Sequence, residues 1–391
     1  MKNLILHIGS HKTGTTSIQR ALLEAEEPLK NCNYELFKTQ NIKGNRSKSG
    51  NAWGWIDLGK KKEYLDPLRN GLGGKVPNPK VLTEYLFNSR QDNIIMSSEG
   101  FSWIFDDNEI KTLHNFLNKK FKVRIIVYLR RQDKQIISHH QQGAKTASLP
   151  ACSYYGGTSR AIPHNKTNYY EYLDYNKKMS KWANHFGTEN IIIRVFEKDR
   201  LKNNDVVCDF MNSIGLSHIN IASLRMNESD GFERTKIGHL LNMSNLNGPI
   251  SSLIRNSANN SGKSSPSRED AMKFYEKYRK SNIDLNRTFN ICPDNEAIFD
   301  DDFSSYPTVS KDLWNEGNSN RAILNIFNAI KELDKLDANF LKNAAIKLEG
   351  NDLKLSLELM KMAHLLKPNG PLIKKKLAAY QKILTSQKKI S

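Results

Sequence analysis

The stretch Leu4-Ile5-Leu6-His7-Ile8-Gly9-Ser10-His11-Lys12-Thr13-Gly14-Thr15-Thr16-Ser17 constrains this chain more than any other. An apolar run of strand character enters a turn of small and hydroxylated residues. Ile18, Ala21, Leu22 and Ala25 then recur at helical spacing. A strand feeding a glycine-containing loop that opens a helix is the first unit of a parallel α/β sheet. Gly9 and Gly14 permit positive φ and close backbone approach. Such a turn aims several amide N–H groups into one concavity at the positive end of a helix, a setting that suits an anion. The spacing follows the pattern G-x-x-x-x-G-K-[ST], with Thr16 at the hydroxyl position. Thr15 stands where that pattern has lysine, and the loop's only cation is Lys12, two residues before Gly14. In ordinary ATP or GTP chemistry the lysine beside the hydroxyl reaches the β and γ phosphates. Its displacement points to a different anionic nucleotide.

A second anion site is readable further on. Val123-Arg124-Ile125-Ile126-Val127-Tyr128-Leu129 is nearly all apolar, as a strand buried on both faces would be, and it ends at Arg130-Arg131. Residues 133–142 have helical character, with Gly143 as a stop. Arg130 at the strand's carboxyl end and Ser138 eight residues on supply a forked donor and a hydroxyl for one phosphate. Arg131 is the weaker choice, because its eighth follower is His139.

Residues 93–97 and 190–196 read as further strands. Helical patterns fall at Ile110, Leu113, Phe116 and Leu117, and at Tyr172, Met179, Trp182 and Phe186 before Gly187. A third comprises Val206, Val207, Phe210, Met211 and Ile214 before Gly215. Strands alternating with helices predict an α/β fold, a parallel sheet flanked by helices with its ligands at the strands' carboxyl ends.

His11-Lys12-Thr13-Gly14-Thr15-Thr16-Ser17 resembles the P-K-[ST]-G-[ST]-[ST] core of the 5′-phosphosulfate loop of sulfotransferases that use 3′-phosphoadenosine 5′-phosphosulfate (PAPS). Histidine stands where proline is more common. Arg194-Val195-Phe196-Glu197-Lys198-Asp199-Arg200-Leu201 is similar to a further stretch of that family, in which Glu197 reads as structural. Residues 271–282, leading to Ile298-Phe299-Asp300, look like the later part of bacterial polysaccharide-type members. The resemblance spans roughly residues 1–305. It implies a P-loop-containing fold and PAPS as cofactor, leaving 3′,5′-adenosine bisphosphate as product. Lys12, Thr13, Gly14, Thr15, Thr16 and Ser17 would hold the 5′-phosphosulfate, and Arg130 with Ser138 the 3′-phosphate.

Sulfuryl transfer to a hydroxyl needs a proton acceptor and charge stabilisation on the departing phosphate oxygen. Lys12 suits the second role. Glu99, directly after the 93–97 strand, suits the first, facing the sulfur from the side opposite the nucleotide. The competing reading is that Ser97, Ser98 and Glu99 cap the next helix. His11, His139 and His140 are reserve bases. His7, inside the first strand, reads as a hydrogen-bonded core residue, and Arg225-Met226-Asn227-Glu228-Ser229 as a capping turn. No metal constellation is expected: Cys32, Cys152, Cys208 and Cys292 lack zinc-site spacing.

The formal charge of +18 raises nucleic acid as a partner, but no basic stripe interleaved with aromatics is present. Residues 336–391 hold eleven lysines against four acids. A polyanionic cofactor, an acidic glycan and a peripheral contact of this C-terminal region with an anionic membrane are adequate partners. No secretory h-region and no stretch of transmembrane length is found. Scattered cysteines then fit a cytoplasmic protein with reduced thiols, in which Asn45-Arg46-Ser47 carries no glycan.

The expected organisation is a domain over residues 1–335, with insertion loops near 40–80 and 246–268, and a small all-α hairpin over 336–391. Tyr154, Tyr155, Gly156 and Gly157 read as a loop able to stack on sugar or as a plain turn. The hairpin resembles one tetratricopeptide repeat, which cannot bury its own face and should pack on the main domain or a partner. The expected activity is transfer of a sulfuryl group to a carbohydrate hydroxyl of a surface glycan or glycolipid. A P-loop kinase and a non-catalytic anion-binding protein are the alternatives.

Overall fold

The apolar runs assemble into one five-stranded sheet, all parallel. A computed structural model of the chain describes residues 1–37, 88–145, 155, 157–163, 167–219, 221, 230–244, 246, 248–334 and 337–390. In chain order come β1 Lys2–His7, α1 Thr15–Glu24, α2 Glu26–Asn31, β2 Tyr34–Leu36, β3 Asn93–Ser97 and a 3₁₀ turn Glu99–Trp103. Then follow α3 Asp107–Leu117, β4 Phe121–Leu129, α4 Gln132–Gly143, α5 Thr167–Leu173, α6 Tyr175–Phe186, β5 Ile191–Val195 and α7 Val206–Ser213. The strands lie in the order β2-β3-β1-β4-β5. His7, at the end of β1, sits beside Ser97 on one side and Ile126 on the other.

Alternation along the strands divides the core between the two faces. Leu4, Leu6, Ile94, Met96, Ile125, Val127 and Leu129 face one layer, packed with Leu113 of α3 and Trp182 of α6. Ile5, Ile95, Ile126 and Tyr128 face the other, against Ile18 and Leu22 of α1 and Phe210 of α7. Both faces being covered is what makes a parallel sheet stable. Each large apolar side chain fully buried there contributes about 1.5–3 kcal/mol. His7 is buried as expected, with Nδ1 2.8 Å from the Ser97 hydroxyl.

Several elements depart from the sequence reading. The pattern from Tyr172 to Phe186 is two helices, because Asp174 leaves helical geometry and its carboxylate accepts from the Lys177 amide as the N-cap of α6. Strand β2 has three residues, too few for a periodic signal. The segment 246–268, expected as a loop, contains a helix, Pro249–Ser257, with proline at its first turn. Residues 40–80, Tyr154, Gly156, Cys152 and Arg225–Ser229 lie outside the described residues.

The chain divides into two compact units at positions other than 335/336. The first comprises residues 1–229 and 263–312, the second 230–262 and 313–391. The remaining helices are α8 Phe232–Met243, α9 Pro249–Ser257, α10 Arg268–Phe289, α11 Glu316–Asp334, α12 Ala338–Leu348, α13 Leu353–Leu366 and α14 Pro371–Ile390. Helix α10 belongs to the first unit and packs Phe274, Tyr275 and Tyr278 into its core. In the second unit, Ile237, Leu241, Ala258 and Ala322 form one small core. Leu341, Ala345, Met360, Ala363, Ile373 and Tyr380 form another. The expected two-helix hairpin is therefore three helices, and α14 covers the face that a hairpin alone would leave open. Glu349 ties α12 to α14 through Lys376 at 2.7 Å.

Candidate active site

The loop after β1 continues the sheet before it turns. The Tyr128 amide donates to the Gly9 carbonyl at 2.7 Å, and the Ser10 amide donates to the Tyr128 carbonyl at 3.0 Å. This holds residues 8–10 at the carboxyl edge beside β4. Gly9 has φ 101°, and a Cβ there would lie 3.0 Å from the Glu99 Cα. Backbone of the loop and of the Glu99 turn are thus in direct contact, which only glycine permits. Gly14 has φ 80° and is the N-cap of α1, where it supplies no capping side chain. A Cβ at Gly14 would meet Val206 Cγ1 at 2.7 Å. Gly14→Ala is accordingly expected to cost about 2–3 kcal/mol through left-handed strain and that overlap. Chemical denaturation measures it, and a loss below about 0.5 kcal/mol, the range of an ordinary surface change, contradicts it.

Thr13 and Thr15 are buried, and both hydroxyls donate to the Ser10 carbonyl, at 2.7 and 3.0 Å. Their side chains therefore stiffen the loop. Thr16 is exposed and Ser17 half-buried at the first turn of α1. Lys12 takes a left-handed conformation, φ 62°. Burial, Lys145 and Arg130 draw its ammonium pKa down, with Glu99 opposing them. An arriving anion would relieve the repulsion that Lys145 and Arg130 exert on this ammonium.

The two arginines after β4 divide their work. Arg131 is fully buried, pairs with Asp133 at 2.9 Å and Asp300 at 2.8 Å, and donates to the Asp302 carbonyl at 2.7 Å. It is a structural clamp. Arg130 forms no ion pair among the described residues; its Nη1 lies 3.5 Å from the Lys12 carbonyl, and its guanidinium is 5.9 Å from the Phe196 ring centroid. Ser138 is half-buried in the middle of α4, and no hydrogen bond joins it to Arg130 among the described residues. Glu197 pairs with Lys134 at 3.3 Å, linking the end of β5 to α4.

Glu99 opens the 3₁₀ turn, but Ser98 caps it, accepting from the Gly100 amide at 3.2 Å. Ser97 instead serves His7 and Gln19. The Glu99 carboxylate is left to the site, 22% exposed and 3.8 Å from His11 Nε2. Burial pushes its pKa up to about 7, against the pull of Lys12 and of the neighbouring Thr15 hydroxyl. The histidines are tuned the other way. Burial, His139, Lys178 and Lys12 hold His11 well below its ordinary value, and burial followed by Lys12 brings His139 to about 3. His140 lies 3.2 Å from the Thr158 carbonyl through Nε2. Of Glu99, His11 and His139, the carboxylate is the group whose pKa is brought toward neutrality. Tyr155 is buried between His139 and His140 and presents no face for sugar stacking.

No family model matches the chain. An uncharacterised protein of Archaeoglobus fulgidus is 27% identical over 220 residues, which cover 50% of this chain and 53% of that protein. The chain thus spans about half the length of the curated relative it matches. Among solved structures, a sulfotransferase from Alicyclobacillus acidocaldarius superposes with a TM-score of 0.43 at 12% identity, over 74% of this chain and 96% of that one.

Three residues escaped the sequence reading. Lys145 follows the end of α4 and acts on Lys12. Tyr172, expected only as part of a helical stripe, reaches the loop: its hydroxyl accepts from the His11 amide at 3.0 Å. Lys178 is fully buried, its Nζ 4.1 Å above the Tyr172 ring, and burial brings its pKa down to about 7. A lysine at an otherwise apolar helical position was the one available signal.

Proposed function

We propose that this chain transfers a sulfuryl group from PAPS to a hydroxyl of a carbohydrate acceptor, such as a surface glycan or glycolipid. The observation that carries the reading is the opposition of two groups across Gly9. On one side stands an amide-rich loop bearing Lys12, and on the other Glu99 with its pKa raised to about 7. The residues present fit the donor. The Gly14 cradle at the amino terminus of α1 suits a phosphosulfate, and Arg130, without a carboxylate partner among the described residues, suits the second phosphate. Lys12, Thr13, Gly14, Thr15, Thr16 and Ser17 would hold the first anion, the buried threonines through their backbone. Arg130 and Ser138 would hold the second.

The donor, when bound, supplies an activated sulfuryl group. Glu99 takes the proton of the acceptor hydroxyl as that oxygen bonds to sulfur. Lys12 meets the negative charge left on the phosphate oxygen as its bond to sulfur breaks. Buried His11 stays neutral beside Glu99, so the carboxylate gains no competing cation there. A P-loop kinase would instead place a cation at Thr15. Among the described residues, no helix is long and apolar enough to cross a membrane. Cys32, Cys208 and Cys292 are free thiols, which suits a cytoplasmic site of action.

Thermal melting tests the reading. At a hundredfold excess over its dissociation constant, 3′,5′-adenosine bisphosphate should stabilise the fold by about 2.7 kcal/mol, with or without Mg²⁺. ATP should do markedly less. Stabilisation by Mg-ATP alone would favour the kinase.

A further inference from the structure

We propose that Tyr172 is a positioning residue whose hydroxyl couples the loop carrying Lys12 to the turn carrying Glu99. This rests on the donor-site reading above. The connection is a directed chain of hydrogen bonds. The His11 amide donates to the Tyr172 oxygen at 3.0 Å. Ser102 Oγ donates to the Glu99 carbonyl at 2.6 Å, so its lone pair accepts from the Tyr172 O–H at 3.1 Å. The order is therefore His11 N–H to Tyr172 O–H to Ser102 O–H to the Glu99 carbonyl. His11, Tyr172 and Ser102 are all buried, where aligned hydrogen bonds reinforce one another.

The phenol is held from a second element. Lys178 of α6 places Nζ 4.1 Å above the Tyr172 ring centroid and donates to the Tyr172 backbone carbonyl at 3.3 Å. The helix break at Asp174 brings α6 back against the end of α5 and makes this possible. Lys12 and the backbone of Glu99 thus share a hydrogen-bonded tie that runs beside the direct contact of Gly9 with the Glu99 turn and uses neither the ammonium nor the carboxylate. An anion that orders the loop should order the base turn through it.

Hydrogen exchange on the full chain, with and without 3′,5′-adenosine bisphosphate, reads the coupling directly. In the wild type, exchange should slow by about tenfold, the scale of ordinary site-to-site coupling, both in the loop over residues 9–17 and in the turn over 98–104. In Tyr172→Phe the loop should still respond while the turn response shrinks well below its wild-type size, the direct contact of Gly9 with the Glu99 turn carrying what remains. Ser102→Ala removes the same tie from the other end with less risk to the fold, and should give the same result. A turn that slows as much in either variant as in the wild type overturns the coupling, as does a wild-type loop that responds without the turn. A wild type in which the loop itself does not respond overturns the donor-site reading beneath it.

Discussion

Lys12→Ala should lower sulfuryl turnover by about 10²–10³-fold, the loss typical of removing one preorganised donor from a developing oxyanion. The reason lies in where the ammonium is kept. It is half-buried, crowded by Arg130 and Lys145, and drawn below its ordinary pKa, so its charge has most to gain where new negative charge forms. The backbone amides of the loop and Arg130 remain in the variant. Stabilisation by 3′,5′-adenosine bisphosphate should therefore shrink but persist. Radiolabelled PAPS and a mixture of saccharide acceptors provide the assay. A variant retaining more than about a tenth of the wild-type rate would remove Lys12 from the leaving-group role.

Glu99→Gln should be as damaging, at about 10²–10⁴-fold in turnover, while leaving bisphosphate binding close to wild type. Wild-type kcat/KM should rise with pH through about 7, as the carboxylate loses its proton, and level off above; the glutamine variant should show no such rise. Stability should move the opposite way. The folded carboxyl keeps its proton between an ordinary 4.5 and about 7, whereas the unfolded one does not. Folding then binds a proton in that window, and the stability contributed by this group falls as pH rises through it. Glu99→Gln should thus leave the protein unchanged near pH 5 and stabilise it near pH 8. The ceiling is about 3 kcal/mol, at about 1.4 kcal/mol per pKa unit. Melting curves at the two pH values decide it, and equal effects at both would show that Glu99 titrates normally.

How far the sequence discloses this arrangement depends on range. The strands with residues buried on both faces, such as Ile125-Ile126-Val127-Tyr128-Leu129, are legible because every side chain must be apolar. The loop and its helix are legible because Gly14 has a backbone duty that few residues can perform. Three-residue β2 carries too little pattern. The inward turn of the Thr13 and Thr15 hydroxyls follows from one carbonyl, Ser10, that no spacing rule identifies. Asp300, far along the chain, engages Arg131, a partner that no local spacing discloses. Likewise, Tyr172 earns its part only because α5 lands beside the loop, and Lys145 and Lys178 gain meaning from the groups packed around them.

The Arg131 clamp has a bearing on how the molecule is made. Its guanidinium is enclosed by Asp133, Asp300 and the ring of Phe303, while Tyr306 donates to Asp133 at 2.6 Å. Breaking a buried pair by removing one partner costs about 3–5 kcal/mol. During synthesis the sheet edge beside Arg130 therefore stays unfinished until the ribosome has delivered residues some 170 positions downstream of the strand. The nascent amino-terminal half holds a guanidinium with Asp133 as its near partner, and the mature protein adds Asp300, Phe303 and Tyr306 to that pair.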